Sequence, residues 1–238
     1  ILNFNMKIAL LGYGKMGKTI EKIALKRGHK IILKIDDDIS KHNLNEADIA
    51  IDFSIPEAAF TNITTCFNNK IPVVSGTTGW LNKLDEAKQI CEQNNTAFIY
   101  ASNFSLGVNI FFELNKKLAQ MMEQQTQYNI NIEETHHTEK LDAPSGTAIT
   151  LAEDIIANTA KNNWKLGVTN NNSEIPIEAK REPNVPGTHK IVYSSDVDNI
   201  EIKHTAHSRE GFALGAVIAA EWLCNKKGIF TMKDVLGL

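Results

Sequence analysis

Lys7-Ile8-Ala9-Leu10-Leu11-Gly12-Tyr13-Gly14-Lys15-Met16-Gly17 is the stretch whose reading decides the fold. A short apolar run of strand length ends in three glycines, and a helical pattern through Ile20, Ile23, Ala24 and Leu25 follows at once. A lone Gly-x-Gly-x-x-Gly turn is a weak signal, but a strand before it and a helix after it are the context its physics needs. The glycines allow a tight turn and the close approach of a pyrophosphate, which rests on the helix N-terminus. The stretch therefore predicts the opening unit of a dinucleotide-binding α/β sheet.

Working outward, Lys30 to Ile35 reads as a second strand that ends in Asp36-Asp37-Asp38. Asp36 lies 19 residues beyond Gly17, where a dinucleotide fold places an acid that accepts hydrogen bonds from the adenosine ribose. Three successive carboxylates with no arginine beside them oppose the extra phosphate of NADPH, so NADH is the expected preference. Ala47 to Ser54, Ile71 to Ser75 and Ala97 to Tyr100 supply three further strands, and helical stretches open at Pro56 and Leu81. Strands alternating with helices over short links imply a Rossmann-like, doubly wound parallel sheet. Ligands bind outside the carboxyl ends of such strands. Ser54, Gly76, Thr77, Thr78 and the run Ala101, Ser102, Asn103 and Phe104 should then line one crevice with the glycine loop.

The middle of the chain is patterned differently. Gly107 to Met122 and Ala148 to Ala160 have helical spacing, while Tyr128 to Glu133, His189 to Tyr193 and Asn199 to His204 alternate like half-exposed strands. Gly167 to Glu174 is rich in Asn and reads as a loop, and Arg181 to Thr188 as a turn-forming connection. These features suggest a second, α+β domain with an open mixed sheet. A last helix carrying Phe212, Leu214, Val217, Ile218, Trp222 and Leu223 is apolar on nearly every side and should be well buried.

That second domain holds the densest chemistry: Glu133-Glu134-Thr135-His136-His137-Thr138-Glu139-Lys140-Leu141-Asp142-Ala143-Pro144-Ser145-Gly146-Thr147-Ala148. Ser145-Gly146-Thr147 sits where a loop enters a helix, and free amides at the positive end of a helix dipole suit a carboxylate or phosphate. Lys140 adds a full positive charge, and a histidine moves a proton near neutral pH. Singly, the histidines read as solvated strand-end residues, Lys140 as a surface lysine and Ser145 as a helix cap. Together they describe an anion site with an acid beside it.

Composition narrows the classes further. With 238 residues the chain can bury a sizeable core in one large or two smaller domains. Its 25 basic and 28 acidic side chains leave a formal charge of -3, so no global field draws it to nucleic acid or to a membrane surface. Cys66, Cys91 and Cys224 are odd in number and widely spaced, which fits neither a disulfide framework nor a metal cluster, and no metal is expected. No apolar run reaches membrane-span length and the start lacks a secretory signal, so a cytoplasmic protein is expected. Ile1 to Asn5 precede Met6, a candidate natural start.

The residues resemble the dihydrodipicolinate reductases, also called 4-hydroxy-tetrahydrodipicolinate reductases, of bacterial lysine biosynthesis. The likeness runs through the glycine loop, Gly76-Thr77-Thr78-Gly79, Asn103-Phe104-Ser105, the Glu-x-His-His-x-x-Lys-x-Asp-Ala-Pro-Ser-Gly-Thr-Ala block, Val185-x-Gly187-x-His189 and Ser208-Arg209. The chain departs in a glycine loop one residue shorter than some members', an abbreviated linker after the second strand, and Pro183 where many members have glycine. The first two bear on the cofactor.

The resemblance implies reduction of a small dicarboxylate by NADH or NADPH, with His136 as acid/base residue and Lys140 as proton donor. It implies that His137, Lys140, Gly146 and Thr147 hold the substrate carboxylates. Gly12, Gly14, Lys15, Met16, Asp36, Gly76, Thr77, Thr78, Ala101, Ser102, Asn103 and Phe104 would face the dinucleotide. It also implies a homotetramer and two domains: residues 1–106 with 209–238 for the dinucleotide, and residues 107–208 for substrate and oligomerisation. Two other classes share some of these features. An amino-acid dehydrogenase acting on aspartate has no reason to carry His-His-x-x-Lys with Ser-Gly-Thr, and a dinucleotide sensor has no need of a proton donor.

Overall fold

The computed structural model of the chain describes residues 5–208 and 210–238. Most of the expected extension Ile1 to Asn5, and Arg209 of the Ser208-Arg209 motif, lie outside the described residues. The chain divides into two compact units, one running to Leu106 and resuming over Glu210–Leu238, the other beginning at Gly107 and filling the span between.

In chain order the first unit contributes β1 (Lys7–Leu11), α1 (Lys15–Lys26), β2 (Lys30–Ile35), β3 (Ile49–Asp52), α2 (Pro56–Asn68), β4 (Val73–Ser75), α3 (Leu84–Gln93) and β5 (Ala97–Tyr100). Next come α4 (Leu106–Met122), β6 (Asn129–His136), α5 (Gly146–Ile156), β7 (Asn163–Leu166), β8 (Glu174–Arg181), β9 (Gly187–Ser194) and β10 (Asn199–Ala206). The chain then returns to the first unit with α6 (Glu210–Leu223), β11 (Gly228–Phe230) and α7 (Met232–Leu236).

The first unit is built on a six-stranded sheet in the order β11-β5-β4-β3-β1-β2, and every pairing in it is parallel. Its central strands are apolar on both sides because helices cover both faces. On one face Ile8, Leu10, Ile49, Ile51 and Ile99 pack with Ile20 and Ala24 of α1 and with Ala213, Ala216 and Val217 of α6. On the other, Ala9, Leu11, Ala50, Val73 and Phe98 pack with Ala59, Ile63 and Phe67 of α2 and Ala87 and Cys91 of α3. Each large side chain buried in this way contributes on the order of 1.5–3 kcal/mol. The order of strands reverses between β1 and β3, which is the switch point where such sheets open a crevice.

The second unit has a five-stranded mixed sheet, β10-β9-β6-β8-β7, with β9 antiparallel to both its neighbours and the β6, β8 and β7 pairings parallel. Alternation along β6 buries Ile130, Ile132, Glu134 and His136 on one face. That face packs against α4 through Phe111 and Ala119 and against α5 through Ala148, Leu151 and Ile155. The opposite face carries a ladder of charge, in which Lys190 lies 3.0 Å from Glu133 and 3.8 Å from Glu201. Cys66 and Cys91 are buried and Cys224 half-buried, all as free thiols. Among the described residues no helix is long and apolar enough to cross a membrane.

Candidate active site

In the first unit the predicted cofactor residues gather at the carboxyl ends of the parallel strands. Gly12 follows β1 with φ +89, its amide donates to the Ile35 carbonyl at 2.7 Å, and a Cβ there would lie 2.2 Å from Phe53 O. A Cβ on Gly17 would lie 2.3 Å from Gly12 O, so these two glycines are demanded by the turn itself. Gly14 differs: it is the N-cap of α1, no side chain caps the helix, and a Cβ would meet nothing within 4 Å. Lys15 is exposed and Met16 half-buried in the first turn. Open space over uncapped amides is what a pyrophosphate requires.

A cavity of about 400 Å³ adjoins this turn, lined by Gly12, Asp36, Ile39, Ser54, Ala58 and Asn62 among others. Asp36 accepts the Tyr13 amide through one oxygen at 2.8 Å. Asp37 pairs with His42 at 2.6 Å and with Lys41 at 3.6 Å, and Asp38 accepts the Ser40 amide at 3.0 Å.

The loops after β3 and β4 are tied by a carboxylate that reading the sequence missed. Asp52 is fully buried and accepts the hydroxyls of Ser54, Ser75 and Thr77 at 2.6, 2.7 and 2.8 Å. Burial pushes its pKa up, against the pull of those three donors. Thr77 is thereby engaged: its hydroxyl oxygen also accepts the Ser54 amide at 2.9 Å, and its carbonyl accepts the Trp80 indole N–H at 2.7 Å. Gly76 is held under the Phe53 ring, Thr78 is exposed, and Ala101 donates its amide to Ser75 at 3.2 Å. Ser102 is exposed and Asn103 half-buried, whereas the Phe104 side chain belongs to the core, 5.9 Å from the Phe53 ring.

In the second unit, strand register assembles the site. Glu134 stands opposite His189 across the β6–β9 pairing, and His136 stands opposite Arg181 across β6–β8. Glu134 is fully buried; one of its oxygens takes both Arg181 terminal nitrogens at 3.2 Å, and the other takes the Ser145 amide at 3.0 Å. That second oxygen also lies 3.7 Å from His136 Nδ1 and 3.7 Å from His189 Nε2. Arg181 then reaches the carbonyls of Lys140 at 3.3 Å and Asp142 at 2.6 Å. One ion pair, with its carboxylate fully buried and its guanidinium part-buried, thus pins both ends of the loop from Lys140 to Ser145.

His136 closes β6 and His137 lies just past it, half-buried. A Cβ on Gly187 would come within 3.1 Å of His136 Nε2, so the glycine leaves room for the ring. Burial lowers the His136 pKa, with Lys140 and Arg181 pulling the same way and Glu134 opposing them. Burial pulls His189 down to about 3, so this ring is neutral, and it hydrogen-bonds Ser145 Oγ at 3.1 Å. Ser145 Oγ in turn accepts the Ala148 amide at 3.2 Å and caps α5. The amides of Gly146 and Thr147 have no protein acceptor among the described residues, and a Cβ at Gly146 would meet nothing within 4 Å. Lys140 lies with its ammonium 2.8 Å from Asp142, whose pKa that contact lowers.

Glu134, His136 and His189 bring one ligand atom each within 4.8 Å of one another. The donors are of a kind that holds a divalent cation, but Arg181 already supplies the positive charge to that carboxylate. Reading the sequence missed Glu134, Arg181 and His189 as members of the site. The signal for Glu134 was present: it continues the buried alternation of Ile130 and Ile132, and an acid on an apolar strand face requires a partner.

Residues 6–104 match the family model for the dihydrodipicolinate reductase N-terminus, and residues 107–236 match that for its C-terminus. The chain belongs to the dihydrodipicolinate reductase family. A protein of Christiangramia forsetii named 4-hydroxy-tetrahydrodipicolinate reductase is 63% identical over 234 residues, covering 97% of this chain and 98% of the relative. One of the same name from Methanosarcina barkeri is 37% identical over 202 residues, covering 82% of this chain and 74% of the relative. Among solved structures, a dipicolinate-bound dihydrodipicolinate reductase from Paenisporosarcina aligns with TM-score 0.75 at 23% identity, over 96% of this chain and 98% of that one, which shows a shared fold. Both family models are thus matched in one chain, and the C-terminal one, over residues 107–236, spans the second unit and most of the segment that returns to the first.

Proposed function

We propose that the chain reduces 4-hydroxy-tetrahydrodipicolinate to tetrahydrodipicolinate, with loss of water and a nicotinamide dinucleotide as hydride donor. As a member of its family it is an oxidoreductase of lysine and diaminopimelate biosynthesis. The observation that carries the reading is that an imidazole, an ammonium and two open helix amides share the loop from His136 to Thr147.

The substrate is a ring with two carboxylates. Lys140 offers those carboxylates a positive charge, and His137 and the open amides of Gly146 and Thr147 offer hydrogen-bond donors. Lys140 is held by Asp142 through an exposed contact that a substrate carboxylate can replace. The dinucleotide supplies one hydride equivalent when bound. Hydride addition to the conjugated imine left after the hydroxyl departs as water gives an enamine-like charge, and one proton completes the product. Lys140 donates that proton and His136 acts beside it as the acid/base residue. The open Gly14 turn, the uncapped start of α1 and the cavity beside Asp36 fit the pyrophosphate and adenosine ends of the dinucleotide.

The test is dinucleotide oxidation, followed by absorbance, in the presence of pyruvate, aspartate semialdehyde and the synthase that joins them. Activity is expected only with all three. Lys140→Ala and His136→Ala are each expected to cut turnover by ~10²-fold or more while dinucleotide affinity is unchanged. Near-normal turnover in either variant removes that residue from the mechanism.

NADH is the preferred donor in this reading. Lys41 and His42 pair with Asp37, and Asp36 and Asp38 add two further carboxylates beside them, so negative charge outweighs positive where an added phosphate would lie. A higher kcat/KM with NADH than with NADPH is expected, and Asp36→Ala should narrow the gap. Equal efficiency in the unaltered protein refutes the preference.

A further inference from the structure

We propose that Glu134 is the positioning residue of the acid/base site: it takes the Nδ1–H of His136, and so leaves Nε2 as the nitrogen that exchanges a proton. The inference rests on the reading of His136 as the acid/base residue.

Its ground is geometric. His136 Nδ1 is buried and has no hydrogen-bond partner among the described residues, a costly state for an imidazole nitrogen. A carboxylate oxygen of Glu134 lies 3.7 Å away, just outside hydrogen-bonding range. That carboxylate cannot swing off to serve another group. Arg181 fixes one oxygen, the Ser145 amide fixes the other, and the side chain is fully buried.

The alternative partner for Nδ1 on the same face is His189, but its ring is already bonded to Ser145 Oγ and is neutral. Nε2 of His136 lies on the side of Gly187, where a side chain would crowd it. A buried carboxylate that selects one tautomer of a histidine, and steadies its cation when formed, is a recurring device for proton transfer. Here the same carboxylate also anchors, through Arg181, the carbonyls on either side of Leu141. Orientation of His136 and placement of Lys140 therefore depend on one residue.

The groups that face His136 are Glu134 on its own strand, Arg181 on β8, His189 on β9, and Lys140 and Asp142 on the loop. Arg181 and Lys140 disfavour its cation; Glu134 and Asp142 favour it. Neutralising Glu134 must then lower the pH at which His136 gives up its proton.

The experiment has two arms. In the unaltered protein, labelled with ¹⁵N-histidine and assigned by comparison with His136→Asn, the neutral His136 ring is expected as the Nδ1–H tautomer. An Nε2–H tautomer overturns the proposal whether or not any variant folds and whether or not the protein proves to be a reductase. In the second arm, Glu134→Gln is expected to lower kcat about 10- to 100-fold, to leave KM for the dinucleotide unchanged, and to move the His136 titration to lower pH. Glu134→Asp, which keeps the charge, is expected to restore the titration toward its original position. A Gln variant that folds with the His136 titration unmoved overturns the proposal. Failure of the unaltered protein to turn over its substrate would instead overturn the reductase reading, and the tautomer measurement would still decide the role of Glu134.

Discussion

Gly12 and Gly14 stand two residues apart in one turn, yet a methyl group at the first would lie 2.2 Å from a backbone oxygen and at the second would touch nothing within 4 Å. Gly12→Ala, which also forces a side chain into φ +89, is expected to lower unfolding free energy by about 1–3 kcal/mol in urea titration. Gly14→Ala should leave the urea midpoint almost unchanged and raise KM for the dinucleotide several-fold. A stability loss at Gly14 equal to that at Gly12 would mean that the turn, rather than a ligand, requires both. The sequence pattern marks all three glycines alike, because spacing records that the backbone is special and not why. Glu134 shows the converse: its position on the buried face was legible from alternation, but its partners Arg181 and His189 come from 47 and 55 residues away and depend on strand register.

At the scale of elements, continuously apolar or strongly periodic segments were legible, even the short β3, β4 and β5, and polar or interrupted ones were not. The central parallel strands and α1, α2, α4 and α6 follow from apolar patterning. β8 was hidden by Pro176, which has no amide to donate, and by the charged residues Glu178, Lys180 and Arg181; β7 interleaves Asn163 and Lys165 with Trp164 and Leu166, and β11 opens on a glycine after two lysines. Register among β6, β8 and β9 has a consequence for stability. His189 titrates near 3 in the folded state, below its ordinary value of about 6.5 when unfolded. Between those values the unfolded chain binds the extra proton, so stability falls as pH drops, by up to about 1.4 kcal/mol per pH unit for this residue. His136 is shifted in the same direction and adds to the effect. Urea unfolding at pH 7 and pH 5 should show the loss, and His189→Gln should flatten the slope. An unchanged slope in that variant would place the pH dependence elsewhere.

On the scale of the whole molecule, two units of different architecture could be told apart in the sequence because their hydrophobic periods differ: continuous apolar strands before Leu106, alternating ones after it. What patterning could not give was the edge of the first sheet, where β11 pairs with β5 through Gly228, Ile229 and Phe230. The first sheet and its α6 cover are therefore completed only after the whole of the second unit has been translated. Until then a nascent chain carries β5 as a bare edge and an apolar face awaiting its helix, while the intervening unit has already emerged. Synthesis of α6 and β11, and not of the segment before Leu106, is the event that completes the first unit, and a chaperone that shields strand edges would act in that interval.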